Sequence, residues 1–239
     1  MTADGLSLEG VFIRLGERVL IPPLTCTVAP GEVTTVMGPS GSGKSSLLAF
    51  ICGTLDPAFA AGGRVRLGEV DIAELPPERR RIGILFQDDL LFPHMTVAEN
   101  LAFGLPAAVT GRRARRARVE AALLEVGLAG FGDRDPSTLS GGQRARAALL
   151  RTLLSEPQAL LLDEPFGRLD LRLRARFRRT VLDHARSRHL PTLLVTHDPD
   201  DAAAAAGPII EIAIAEGDSL DSDAGATDRS IARPLRRLP

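Results

Sequence analysis

The chain has 239 residues, 44% of them hydrophobic, and a formal net charge of −1. That length fits one α/β domain with sub-lobes better than two separate domains, and the apolar content is enough for a real core. The near-zero charge gives no bulk attraction to nucleic acid or an anionic membrane, and the two cysteines, Cys26 and Cys52, lack CxxC or metal-ligand spacing and read as reduced, buried thiols.

Met1-Thr2-Ala3-Asp4-Gly5 carries no basic cluster and no apolar stretch follows it, so no secretory leader is expected. No run approaches the roughly 18 apolar residues of a membrane-spanning helix. Val11 to Leu20 and Cys26 to Val28 read as short strands near the turn signal Leu15-Gly16-Glu17. After the turn Pro30-Gly31-Glu32, the β-branched run Val33 to Met37 reads as a buried strand, and Ser45 to Ile51 opens a helix. Arg64 to Leu67, Val70 to Ile72 and Ile82 to Phe86 are further small strands, the last ending at Gln87. From about Thr96 to Leu154 the pattern is helical. One helix is expected over Ala114 to Val126, and another over Ser140 to Leu154 with Ala148, Leu149, Thr152 and Leu153 on its inner side. Ala159 to Leu162 is a continuous apolar run, as in a strand buried on both faces of a parallel sheet. An arginine-rich amphipathic helix over Arg172 to Arg188, a strand over Thr192 to Val195 and a last strand over Ile209 to Ile214 follow. From Glu216 the sequence loses periodicity, and residues 216–239 read as a flexible tail.

Gly38-Pro39-Ser40-Gly41-Ser42-Gly43-Lys44-Ser45 fits the phosphate-loop pattern G-x-x-x-x-G-K-[ST] and stands between a strand and a helix, the context that pattern needs. Glycines remove side chains so that backbone N–H groups can turn onto phosphate oxygens, and the helix N-terminus adds positive potential. Lys44 would reach the β- and γ-phosphates, and the Ser45 hydroxyl would bind Mg²⁺. Asp163 and Glu164 end the second apolar strand, where ligands collect in such sheets. Asp163 is expected to hold Mg²⁺ and Glu164 to polarise the attacking water. Gln87 and His197 each end a strand; the amide could reach Mg²⁺ or the water, and the imidazole the γ-phosphate.

Leu139-Ser140-Gly141-Gly142-Gln143 opens a helix, with Ser140 suited to the N-cap. The phosphate loop, Gln87, this pentapeptide, Asp163-Glu164, Phe166-Gly167-Arg168-Leu169-Asp170 and His197 occur in that order. Over about residues 6–215 the chain therefore resembles the ATP-binding cassette (ABC) ATPases, whose Walker A, Q-loop, signature, Walker B, D-loop and H-switch these segments match. The resemblance implies an α/β P-loop NTPase fold: a RecA-like parallel sheet core, an N-terminal antiparallel β-subdomain and an inserted helical subdomain at about 92–155, within one domain over 1–215. It implies ATP and Mg²⁺ as cofactors. Glu164, His197 and Gln87 are then the catalytic candidates, and Ser45, Gln87 and Asp163 the metal ligands. Gly38 through Ser45, Ser46, Leu15, Ser140, Gly141, Gly142, Gln143 and Asp170 would contact nucleotide. The implied assembly is a head-to-tail homodimer with two ATP molecules sandwiched, Ser140 and Gly142 of one copy facing the γ-phosphate held by Lys44 of the other.

Phe86 to Leu101 looks like the ATPases of binding-protein-dependent importers. That implies two membrane-spanning permease subunits, a periplasmic or extracellular solute-binding protein, no nucleic-acid partner, and a cytoplasmic position on the inner face of the membrane. Ile82 to Leu91 and Thr138 to Arg151 look most like the bacterial Ynj-type ABC system. Larger importer ATPases carry a regulatory domain after the nucleotide core, for which this chain stops too soon. The ATPase of an exporter or lipoprotein-releasing system is the alternative; an ABC ATPase without membrane partners is another. The chain departs from the family at Leu15, where an aromatic ring usually stacks on adenine. An aliphatic contact there gives up about 1 kcal/mol and weakens base selectivity, and Phe12, three residues away, should point to the opposite strand face. Asp200-Asp201 and five alanines replace a longer family segment. The arginine runs over Arg112 to Arg118 and Arg172 to Arg188 lack interleaved aromatics and read as solvated helix faces.

Overall fold

Alternating apolar and polar residues require a sheet with one covered face, and the chain begins with such a sheet. The computed structural model describes residues 5–86, 88, 90–167, 169 and 171–213. Strands β1 (Leu6–Leu15) and β2 (Arg18–Val28) form an antiparallel hairpin. The run expected as one strand over Val11 to Leu20 is split by the turn at Gly16-Glu17 between β1 and β2, and β2 is longer than the short strand expected over Cys26 to Val28. Pro22 and Pro23 break the expected run, yet β2 lies at the sheet edge, where a missing N–H donor is tolerated. Gly10, at φ 60°, lies where the β1 register shifts, so the strand bends there without ending.

β3 (Val33–Met37) leads through the glycine-rich loop into α1 (Lys44–Cys52). β4 (Phe59–Leu67) and β5 (Val70–Asp71) complete the antiparallel sheet in the order β2-β1-β4-β5. β6 (Ile82–Leu85) then opens the second sheet. The helices α2 (Val97–Phe103), α3 (Arg112–Glu125) and α4 (Gly141–Leu154) follow, and after them β7 (Ala159–Asp163), α5 (Leu171–Ser187), β8 (Thr192–Val195), α6 (Pro199–Ala205) and β9 (Ile209–Glu211). The second sheet has the order β6-β7-β8-β3-β9, and every pair in it is parallel.

Strand alternation divides the core. Leu161, Leu193 and Val195 pack with Leu47, Leu48 and Ile51 of α1 and with the inner face of the antiparallel sheet. Leu160, Leu162 and Leu194 pack on the other face with Phe177, Val181, Leu182 and Ala185 of α5. Coverage on both sides is why β7 and β8 read as unbroken apolar runs. The helices α2, α3 and α4 enclose a third core of Val97, Leu101, Val119, Leu123, Leu139, Ala147 and Leu150. Helix α4 serves two cores: Ala145, Ala148 and Leu149 face the sheet, while Ala147 and Leu150 face the other helices. Thr152 and Leu153, expected inside, are only half-buried.

Helix α6 has no counterpart in the sequence reading. It is started by Asp198, whose side chain accepts from Asp200 N, with Pro199 in its first turn. The arginine run of α3 is a solvated face, with Arg112, Arg113, Arg116 and Arg118 exposed; only Arg115 is half-buried, donating to the carbonyls of Val109 and Ala102. Cys52 is buried and Cys26 half-buried; burial pushes their thiols up to about 12 and about 11, which makes both poor nucleophiles. Among the described residues no helix is long and apolar enough to cross a membrane. The last strand ends at Glu211, so Ile212 and Ala213 of the run expected to Ile214 are not in it, and Ile214 and the tail 216–239 lie outside the described residues.

The C-terminal end of α1 is anchored by one buried cation. Arg80 is 6% exposed and donates to Phe50 O (2.8 Å), Ile51 O (2.9 Å), Leu75 O (2.7 Å) and Ala73 O. Gly53 makes room for it: a Cβ there would sit 2.6 Å from Arg80 Cζ. Replacing Arg80 by alanine removes its bonds to Ile51 O, Leu75 O and Ala73 O in the interior and leaves Phe50 O only its bond from Gly53 N. Urea denaturation should show Arg80→Ala losing about 2–4 kcal/mol; wild-type stability would refute the anchor.

Candidate functional site

Parallel strands deliver the residues after their C-terminal ends to one edge of a sheet. β7, β8 and β3 are consecutive neighbours. The acidic pair Asp163-Glu164, His197 and the glycine-rich loop therefore emerge side by side. Backbone bonds beyond the strands hold this alignment: Glu164 N donates to Val195 O (2.9 Å) and Thr196 N to Val36 O (3.2 Å).

The loop is shaped by close approaches on both flanks. A Cβ on Gly38 would lie 2.5 Å from Ile212 O, and one on Gly43 would lie 2.9 Å from Leu20 Cβ. Gly43 also takes φ 87° as the N-cap of α1, with no side chain accepting from the first turn. The free N–H groups of that turn are thus directed at the loop. Lys44 is almost fully buried and folds back over the loop. Its ammonium donates to Gly38 O (2.9 Å) and Pro39 O (2.6 Å), with Ser42 Oγ at 3.5 Å. Carbonyls are weak partners for a buried cation, and a phosphate oxygen would serve it better. Gly41 at φ 78° leaves open space where a side chain would stand.

Asp163 is 8% exposed. Burial pushes its carboxyl above the usual carboxylate range; the hydrogen bond from Ser45 opposes that, the Glu164 charge adds to it, and Lys44 opposes it again. A buried carboxylate beside a serine hydroxyl is a hard oxygen donor pair with unmet demand for a cation. No group of three His, Cys, Asp or Glu among the described residues could hold a metal alone. A cation at Asp163 and Ser45 would therefore be shared with phosphate oxygens and water, in the manner of Mg²⁺.

Glu164 adopts φ 46°, a conformation that disfavours residues with a side chain. Its Oε1 lies 3.0 Å from His197 Nδ1. Glu164 is one-quarter exposed and His197 two-thirds exposed, so the pair faces the open side of the site. Ser140 caps α4: its hydroxyl accepts from Gln143 N (3.3 Å), and Ser140 N donates to Gln143 Oε1 (2.8 Å). Gly141 and Gly142 form the first turn of that helix in the helical lobe. Leu15 is 44% exposed at the end of β1, next to the turn into β2, the strand that flanks Gly43. Phe12 points to the other face, over Gly62. Gln87 and Asp170 lie outside the described residues.

The support behind His197 comes from charges on two different helices. Arg174 and Arg178, expected on a solvated face, are one-fifth exposed and ion-paired to Asp201, at 2.7 Å and 2.8 Å. Their i, i+4 spacing opposite an acidic helix start was the available signal.

A family model described as ABC transporter matches residues 21–167. An uncharacterized ABC transporter ATP-binding protein of Escherichia coli, YnjD, is 49% identical over 83% of this chain and 91% of its own length. The Fe(3+) ions import ATP-binding protein FbpC of Brucella abortus is 41% identical over 86% of this chain. This chain spans 57% of the FbpC length. Among solved structures, an ATP-binding cassette in a dimeric, post-hydrolysis state with ADP and Pi superposes with a TM-score of 0.77 at 27% identity, over 91% of this chain and all of that one.

The raised Asp163 carboxyl sets a pH-dependent cost. Its contribution to stability is fully present below the unfolded-state value and is lost as pH rises through the raised folded value. At neutral pH, Asp163→Asn should therefore melt at a higher temperature than wild type without nucleotide, while losing the gain in nucleotide affinity that Mg²⁺ confers. A lower melting temperature with Mg²⁺ dependence intact would contradict this reading.

Proposed function

This chain belongs to the ABC transporter family, whose ATP-binding subunits hydrolyse ATP, and from that premise we propose that it is the ATPase subunit of a bacterial solute importer, active as a pair of copies. The observation that carries the mechanism is the Glu164–His197 contact at 3.0 Å beside the Lys44 loop.

In this reading the N–H groups of the loop and α1 take the β- and γ-phosphates, and the Lys44 ammonium exchanges its carbonyl partners for phosphate oxygens. Ser45 and Asp163 would hold Mg²⁺, which would supply neutralising charge to the phosphates. Glu164 accepts the proton of the attacking water. His197 keeps that carboxylate turned toward the open side and hydrogen-bonds the γ-phosphate. Leu15 offers the base an aliphatic wall, so discrimination between adenine and guanine is weaker than stacking on a ring provides. Ser140 and Gly142 lie at the N-terminus of α4 on a separate lobe, and act on nucleotide held by the other copy. The helix dipole and free N–H groups there suit a γ-phosphate. The dimeric cassettes similar to this chain support that arrangement.

Import rests on relatives named as iron-import ATPases. They support partner permease subunits and an external solute-binding protein for this chain, with the ATPase on the inner membrane face. In proteoliposomes with its permease, solute-loaded binding protein added outside should stimulate ATP hydrolysis. Stimulation by a substrate on the ATPase side alone would replace import by export.

Two substitutions separate the roles. Glu164→Gln should lower kcat by about 10²–10³-fold with ATP affinity kept; near-normal turnover would remove Glu164 as the base. Ser140→Arg should abolish hydrolysis yet leave binding of a fluorescent ATP analogue unchanged, because the serine acts on the other copy's nucleotide. Lost binding would place Ser140 in the same copy's site.

A further inference from the structure

The loop that carries His197 is braced by charges that the hydrolysis chemistry does not touch. Asp201, in the first turn of α6, is 2% exposed. Its Oδ2 accepts from Arg174 Nη2 at 2.7 Å and from Thr196 Oγ1 at 3.2 Å, and its Oδ1 accepts from Arg178 Nη1 at 2.8 Å. Arg174 Nη2 also reaches Asp198 Oδ2 at 2.6 Å. Asp198 N donates to Thr196 Oγ1 at 3.1 Å, and Asp198 Oδ1 accepts from Asp200 N at 2.7 Å. Both chain neighbours of His197 are thus tied to one buried carboxylate and, through it, to one face of α5.

His197 itself has little else to hold it. Its side chain is 66% exposed, and the Glu164 carboxylate is its polar contact. For so exposed a ring, the path of the backbone decides where the imidazole sits. That path runs from Val195, fully buried in β8, through Thr196 and Asp198 into α6.

The cluster is also poorly designed for stability alone. Two arginines and two aspartates balance in charge, but such a set rarely outperforms apolar packing once desolvation is counted. Among the described residues Arg174 Nε is buried without a hydrogen-bond partner, a defect that a purely stabilising network would not keep. Directional hydrogen bonds fix geometry in a way that apolar packing does not, and geometry is what the His197 loop requires.

We propose that Asp201, gripped by Arg174 and Arg178, is a positioning residue for ATP hydrolysis: it holds the Thr196–Asp198 backbone so that His197 stays against Glu164. The proposal rests on the reading that His197 and Glu164 act on the γ-phosphate and water. Because the network touches neither the glycine-rich loop nor Leu15, its loss acts on turnover and leaves nucleotide binding alone.

A double-mutant cycle tests this. Steady-state hydrolysis at saturating Mg-ATP is measured for Asp201→Asn, His197→Ala and the double variant, with binding of a fluorescent ATP analogue and melting temperature recorded for each. Asp201→Asn should lower kcat about tenfold while KM and analogue affinity stay within about twofold, the pattern expected when a catalytic group is misplaced by a fraction of an ångström. On the His197→Ala background the same change should alter kcat by less than about twofold, since its target is already gone. Should Asp201→Asn fail to fold, Arg178→Gln, which leaves Asp201 its Arg174 and Thr196 bonds, should give the same pattern with a smaller loss. An equal tenfold loss on both backgrounds, or wild-type kcat in Asp201→Asn beside an inactive His197→Ala, overturns the positioning role alone. A fully active His197→Ala overturns the underlying reading of the site and this inference with it.

Discussion

The register of three parallel strands is the constraint on which the rest of the molecule depends. Asp163 pairs with Val195 across β7 and β8, and Val36 pairs with Val195 across β3 and β8. The glycine-rich loop, the acidic pair and His197 leave the sheet from that one level. A slip of one residue would turn Leu161, Leu193 and Val195 away from α1 and toward α5, exchanging two packed cores and displacing every candidate group at once. Register is therefore enforced by the bulk of the apolar interior, and the site takes most of its alignment from that interior. His197 is the exception, because it extends past the last strand residue and must be held by α5 and α6.

The site concentrates groups that are uncomfortable without a ligand. Lys44 has carbonyls for partners, Asp163 is driven toward its protonated form by burial, and Glu164 holds a left-handed backbone conformation. On the proposed reading, a phosphate chain with a divalent cation would give Lys44 and Asp163 the partners they lack. The strained parts stand on the most rigid layer of the fold, which is how a site can remain primed without collapsing on itself. At the opposite end of α1, Arg80 satisfies the helix carbonyls and keeps the phosphate-facing end from shifting.

Much of this was legible in the residues. The apolar runs of β7 and β8 announce a sheet covered on both faces, and the loop between β3 and α1 announces a phosphate site, because few other needs demand glycines, a lysine and a serine in that spacing. The long β1–β2 hairpin was obscured by Pro22-Pro23, whose strand-breaking signal is cancelled by an edge position that only the tertiary structure reveals. Helix α6 was hidden in an alanine run with weak periodicity, although Asp198 and Pro199 carried its start signal. The arginines of α5 were indistinguishable from a solvated stripe, since the partner that buries them, Asp201, lies on another element. Periodicity reports which face is apolar; it is silent on which charges meet.

In the proposed assembly two lobes of one chain supply complementary halves of a phosphate site: the Lys44 loop on the sheet, and the Ser140 end of α4 on the helical lobe. On the proposed reading, a second copy, rotated to bring its α4 to the first copy's nucleotide, would complete both halves together, and symmetry would then provide two such sites. Sedimentation velocity of the Glu164→Gln protein with Mg-ATP, compared with the same protein without nucleotide, measures this most directly. The account predicts a monomer that becomes a dimer only when ATP is added, and that Ser140→Arg in the same background abolishes the shift. A Glu164→Gln protein saturated with Mg-ATP that still sediments as a monomer would contradict it.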